Sequence, residues 1–173
     1  MVQFEIPNFG LVSTPTNPRE WDLLSRDECP ESKEGRADAA KMPCKQLIRS
    51  MMYLMVGTRP DLAHSLSVLS GYLINPGRPH YNAALRCWHI YWATLQVGLW
   101  YVGEELGTSP KLTGTCDASF ACHEDGTSQG GYYFTLCGGA ISWKSYKIKK
   151  IVLSSTEVEY VMISDAARQA EYH

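Results

Sequence analysis

A chain of 173 residues is long enough for one ordinary domain, or for a small domain with a helical appendage. Hydrophobic residues at 45% and charged residues at 20% allow a buried core and exclude wholesale disorder, while a formal net charge of −2 excludes a uniformly basic nucleic-acid binder. The charge is unevenly spread: residues 1–41 carry five basic and eight acidic groups, residues 42–96 five and one, and residues 97–173 six and nine. If a polyanion is gripped, the middle stretch is the candidate.

Residues 1–41 read as an extended lead-in or linker. Pro7, Pro15, Pro18 and Pro30 break long helices, and the charged residues from Asp27 to Asp38 suit solvent. Residues 42–96 read as a helical segment of three helices. In the first, Leu47, Ile48, Met51, Met52, Leu54 and Met55 recur at helical spacing up to Gly57. Thr58-Arg59-Pro60-Asp61 then opens a second, with Thr58 as cap and Asp61 closing a box-like exchange. Its apolar face is Leu62, Leu66, Leu69 and Leu73, and Asn75-Pro76-Gly77 stops it. A third helix, Pro79 to Leu95, carries Leu85, Trp88, Tyr91 and Trp92, a stripe that reads first as core and only second as a base-stacking surface.

From Val97 the period shifts towards two. Gly98 to Val102 and Lys111 to Asp117 are strand candidates, followed by Gly131 to Cys137, a tight turn at Gly138-Gly139, and Ala140 to Ser145. Ser154-Ser155-Thr156-Glu157 starts a terminal helix reaching about Glu171. The expected class is α+β: a helical segment, then three antiparallel strands and one long helix over residues 97–173.

The six cysteines form no C-x-x-C pair, and Met1-Val2-Gln3-Phe4-Glu5 is no basic-then-apolar leader. Free thiols in a reducing compartment are expected, hence an intracellular location, cytoplasmic or nuclear, and not a secreted one. Cys116, Cys122 and His123 match no common zinc spacing. No apolar run approaches the roughly 20 residues of a membrane span, so no membrane partner is expected.

Two carboxylates stand out. Asp117 ends a strand pattern and is followed by small residues, and Glu157 lies in the first turn of the helix after the meander. Brought together, they would share a hard divalent cation. Each also has a plainer reading. Ser154 and Glu157 satisfy the S-x-x-E capping box, and an aspartate at a strand end commonly binds loop backbone.

Several blocks carry a resemblance. Met52 to Ala63, with Tyr53 and Thr58-Arg59-Pro60-Asp61-Leu62-Ala63, is similar to the Y-x-x-x-x-TRPD-[IL]-A segment of copia-type LTR-retrotransposon Pol polyproteins. Gly138-Gly139-Ala140-Ile141-Ser142-Trp143-Lys144-Ser145 and Leu153-Ser154-Ser155-Thr156-Glu157-Val158-Glu159-Tyr160 resemble the same family's G-G-A-I-S-W-x-S and L-S-S-T-E-A-E-Y signatures, in its order and spacing. The resemblance implies the connection segment and the start of a ribonuclease H-like domain. Such a domain hydrolyses RNA in RNA·DNA hybrids with two Mg²⁺ ions. It implies Asp117 and Glu157 as catalytic metal ligands. Glu159 points about 200° from Glu157 around the helix and receives no metal role.

Departures from the family pattern qualify that picture. Ser119 replaces the second aspartate of D-A-D-W, and the family's later metal-binding carboxylates have no counterpart up to His173. No Y-V-D-D block is present, so polymerisation by these residues is excluded. The expectation is a truncated ribonuclease H-like segment, inactive alone, with partners in a hybrid or other nucleic acid and the rest of a Pol polyprotein. Lys144, Lys147, Lys149 and Lys150 are candidate phosphate contacts, or else a solvated strand edge. The first strand would keep an open edge, inviting self-association. The alternatives are a non-catalytic nucleic-acid-binding or Pol-interaction module and a degenerate transposon relic.

Overall fold

The computed structural model describes residues 14–16, 24–102 and 110–173, arranged in two compact units, Met1–Val97 and Gly98–His173. About half of the lead-in read as extended, residues 1–13 and 17–23, lies outside the described residues. Its remainder is not a bare linker, because a 3₁₀ turn covers Arg26–Glu28 and helix α1 covers Lys33–Lys41. The reason is local. Ser32 accepts the Gly35 N–H at 3.0 Å and caps α1, whose Ala39-Ala40 end favours helix.

The helical unit is built from α2 (Cys44–Thr58), α3 (Ala63–Ser70) and α4 (Arg78–Ala93). Leu47, Ile48 and Met51 of α2 meet Leu66 and Leu69 of α3 and Ala84 and Cys87 of α4, all fully buried. Each fully buried aliphatic side chain contributes roughly 1.5–3 kcal/mol. Trp88 and Tyr91 pack against this cluster with ring centroids 5.5 Å apart, so these two rings of the stripe serve the core, whereas Trp92 is exposed. The second helix is shorter than its periodicity suggests. Gly71 caps α3 just after Ser70, and single turns such as Tyr72 N–H to Leu69 O carry the chain to Asn75. At the start of α4 the Gly77 N–H donates to Nδ1 of buried His80 at 3.1 Å.

Thr58 does not cap the second helix. α2 continues through it, and Arg59 takes the flanking position of a 3₁₀ turn, Pro60–Leu62, with no side-chain cap. The exchange expected between Thr58 and Asp61 is displaced because both Asp61 oxygens are held by Arg59, from Nε at 2.9 Å and Nη2 at 2.7 Å. The same Nη2 reaches Thr94 Oγ1 at 2.7 Å, and the guanidinium lies 5.5 Å from the Tyr91 ring centroid. Arg59 is buried, and its guanidinium is held even more firmly protonated than usual, first by the Asp61 hydrogen bond. The T-R-P-D block is therefore a clamp between the entry of α3 and the end of α4. Replacing Arg59 with Lys removes the fork and the ring contact. Arg59→Lys should destabilise this unit by about 1–2 kcal/mol and Arg59→Ala by about 2–3, read from urea unfolding.

The second unit is a sheet of order β1-β2-β3, antiparallel throughout: β1 (Thr113–Ser119), β2 (Ser128–Leu136) and β3 (Gly139–Ile148). With these strands and helices the chain is α+β. Gly98 to Val102 is not a strand. It lies against the β2–β3 turn through Val102 N–H to Cys137 O at 2.8 Å and Tyr101 O–H to Ala140 O at 2.7 Å. The turn itself is Cys137-Gly138 rather than Gly138-Gly139. Both residues have positive φ (50° and 78°), the type I′ geometry that matches strand twist.

Helix α5 (Ser155–Ala170) covers one face of this sheet. Val158 and Met162 pack with Ile148 and Val152 over Cys116, Ala118, Tyr132 and Tyr146. Gly130 makes the approach possible, since a Cβ there would collide with the Met162 sulfur and stand 3.0 Å from Ile148 Cδ1. Gly130→Ala should therefore lower the stability of the second unit by about 1–3 kcal/mol, as thermal melting monitored by far-UV circular dichroism would show.

Candidate functional site

Strand alternation sorts the candidate residues. Register places Cys116 beside Tyr132 and Ala118 beside Gly130, the row under α5. Asp117 lies between them in β1, exposed and opposite Gly131, so it belongs to the other face. Glu157 sits in the first turn of α5, where the helix cap uses its carboxylate. Its Oε2 accepts the Leu153 N–H at 2.7 Å, while Ser154 Oγ accepts the Glu157 N–H at 3.2 Å. The capping box read from S-x-x-E is thus present, with the reciprocal bond shifted one residue upstream.

By strand alternation Asp117 faces away from the residues that α5 covers, while the Glu157 carboxylate is engaged at the start of its own helix. Among the described residues no group of three or more His, Cys, Asp or Glu side chains gathers where a metal could be held. A pair of Mg²⁺ ions needs several convergent oxygens. The donor set present does not fit that group.

The four lysines do not form one patch either. Lys144 faces the α5 side, with Nζ 4.5 Å from the Tyr146 ring centroid. Lys147 faces away from α5 and bridges to Asp125 at 2.5 Å. Lys149 and Lys150 are exposed beyond the end of β3. Asp125 also accepts Thr127 Oγ1 at 2.6 Å, and the Lys147 bond foremost holds its carboxyl far below the ordinary range.

Sequence reasoning overlooked two polar networks. On the α5 side, Asp165 accepts from Tyr146 Oη and pairs with Arg168, and Tyr132 Oη lies 3.3 Å from Gln169 Oε1. On the open face, buried Gln129 joins His123 Nε2, at 3.0 Å from its Oε1, to Ser145 Oγ, at 2.8 Å from its Nε2. The signal for the first was Asp165 placed seven residues after Val158, on the sheet-facing stripe of the helix. For the second the sequence held none, because it depends on register.

All six cysteines are free thiols. Burial pushes the Cys44 thiol up to about 11 and the Cys87 thiol up to about 12, so both are poor nucleophiles at neutral pH. No helix among the described residues is long and apolar enough to cross a membrane.

Over 96% of its length the chain is 37% identical to the retrovirus-related Pol polyprotein from transposon TNT 1-94 of Nicotiana tabacum, of which it spans 12%. It is 40% identical to the secreted RxLR effector protein 161 of Plasmopara viticola, matching 75% of this chain and 89% of that protein. A putative transposon Ty5-1 protein of Saccharomyces cerevisiae is 31% identical, over 73% of this chain and 41% of its own. Over nearly its whole length the chain is thus similar to a short segment of retrotransposon Pol polyproteins. No family model and no solved structure matches it.

The Asp165 carboxyl is held below its usual value, first by the Tyr146 hydrogen bond and then by Arg168, against the opposing effect of burial. A depressed carboxylate contributes stability that is present above the unfolded value of about 3.9 and lost as pH falls through the folded one. The second unit should accordingly weaken below about pH 4. In Asp165→Asn this acid-linked loss should be smaller, as melting temperatures at stepped pH would report.

Proposed function

We propose that this chain is the ribonuclease H-like segment of a retrotransposon Pol polyprotein, which contacts nucleic acid and does not hydrolyse it by itself. The observation carrying this reading is the succession of three antiparallel strands and a sheet-packed helix, with Asp117 on the first strand and Glu157 in the helix's first turn. Kinship with Pol polyproteins supports the partner class, an RNA·DNA hybrid or a related nucleic acid, together with other parts of such a polyprotein. The lack of intrinsic hydrolysis follows from the carboxylates. One is engaged in a helix cap and the other, by strand alternation, faces away from α5, so no two-metal step is derived. The outer edge of β1, which pairs with no further strand among the described residues, is the second contact surface of this reading, for another chain or a second copy.

The test uses the purified chain with a labelled RNA·DNA hybrid. Binding that weakens with salt is expected, with no cleavage when Mg²⁺ is added. Cleavage abolished by Asp117→Asn would overturn the non-hydrolytic part, and absence of any salt-dependent binding would overturn the nucleic-acid part.

A further inference from the structure

The face of the sheet turned away from α5 is laid out by register. Thr115, Tyr133 and Trp143 form one row across β1, β2 and β3, Asp117, Gly131 and Ser145 the next, and Ser119, Gln129 and Lys147 the third. The only helix among the described residues of this unit packs on the opposite face. Tyr133 is 47% exposed on this face, beside half-buried Trp143. Strands lie about 4.8 Å apart, so the two residues are cross-strand neighbours on β2 and β3.

We propose that this face is a nucleobase-stacking platform for single-stranded nucleic acid, with Tyr133 and Trp143 as the stacking pair and Lys147 as the phosphate contact. The inference rests on the nucleic-acid reading above and deepens it. Its chemistry is not that of a protein-docking patch, which would need a contiguous apolar centre. Here two rings stand among hydroxyls and a glycine notch, a mixture suited to base, sugar and phosphate together. Charge supplies direction. Lys147 lies on the face, and exposed Lys149 adds positive charge just past the end of β3, whereas Asp117 repels phosphate from β1. A backbone would therefore run along β3 with its bases over Tyr133 and Trp143. Lys147 already pairs with Asp125 at the surface, a contact that phosphate can displace at little cost.

The experiment measures fluorescence anisotropy of a labelled single-stranded oligonucleotide and, in parallel, of an RNA·DNA hybrid, with the full chain. Tyr133→Leu and Trp143→Leu should each weaken single-strand binding about tenfold, whereas Tyr133→Phe and Trp143→Phe should bind as the parent does. Lys147→Gln should flatten the salt slope by about 0.7. Tyr160→Leu, which removes an exposed ring from α5, should change nothing. Parental affinity in both leucine variants, or an equal loss in Tyr160→Leu, would overturn the platform while leaving hybrid binding and the broader reading intact. If neither probe binds the parent chain, both fall. Should a leucine variant unfold by circular dichroism, photo-crosslinking of an iodouridine oligonucleotide to the parent decides the matter. An adduct on the Tyr133 or Trp143 peptide supports the platform, and adducts confined to α5 overturn it.

Discussion

Met162 lies over Gly130 with no room for a side chain between them, and this one close approach sets the geometry of the second unit. It seats α5 on the row containing Ala118, Gly130 and Tyr146, so every alternate residue of the three strands is committed to the core side. The remaining residues face away by necessity, because a strand cannot turn two neighbours to the same face without a bulge. The one irregularity between β2 and β3 falls at Phe134/Thr135, beyond the rows that hold Asp117, Tyr133 and Lys147. Function in this unit is thus a question of parity. Asp117 and Tyr133 share a face because both sit one step out of phase with the α5 contacts.

The helical unit answers to a different constraint, a buried cation. Arg59 has left water, and its charge is met by both oxygens of Asp61, the Thr94 hydroxyl and the Tyr91 ring. A guanidinium fork can satisfy a carboxylate and still reach a third partner, which an ammonium cannot do with the same fixed geometry. Pro60 in the following 3₁₀ turn fixes the backbone between Arg59 and Asp61, and the two side chains can then close on each other two residues apart. The four-residue block is most economically understood as architecture, since Arg59 and Asp61 close on each other and Arg59 reaches the Tyr91 ring and Thr94 hydroxyl at the end of α4.

What the sequence disclosed follows from how local each signal is. The apolar stripes at Leu47, Ile48 and Met51 and at Leu62, Leu66 and Leu69 are visible because a helix writes its buried face into consecutive turns. The S-x-x-E cap is legible for the same reason, as every partner lies within five residues. Failures occur where a side chain had two possible partners. Asp61 could bond backward to a threonine cap or sideways to an arginine, and the charged partner won. The strand read at Gly98 to Val102 has the right residue types, but that stretch runs past a turn instead of along an edge. Pairing is non-local, and no window of sequence reports it.

The candidate site shows the same limit more sharply. The resemblance pairs Asp117 with Glu157, yet motifs contain no statement of which face a side chain occupies. Glu157 at the third helical position has a nearer partner in the Leu153 N–H just upstream of its own helix, engaged at 2.7 Å. A metal would have to compete with that bond, and strand alternation turns Asp117 away from the α5 contacts made over Gly130. The blocks that carry the resemblance build caps, turns and clamps, all of them local structure, and for that reason they report how the chain folds more directly than what its carboxylates do.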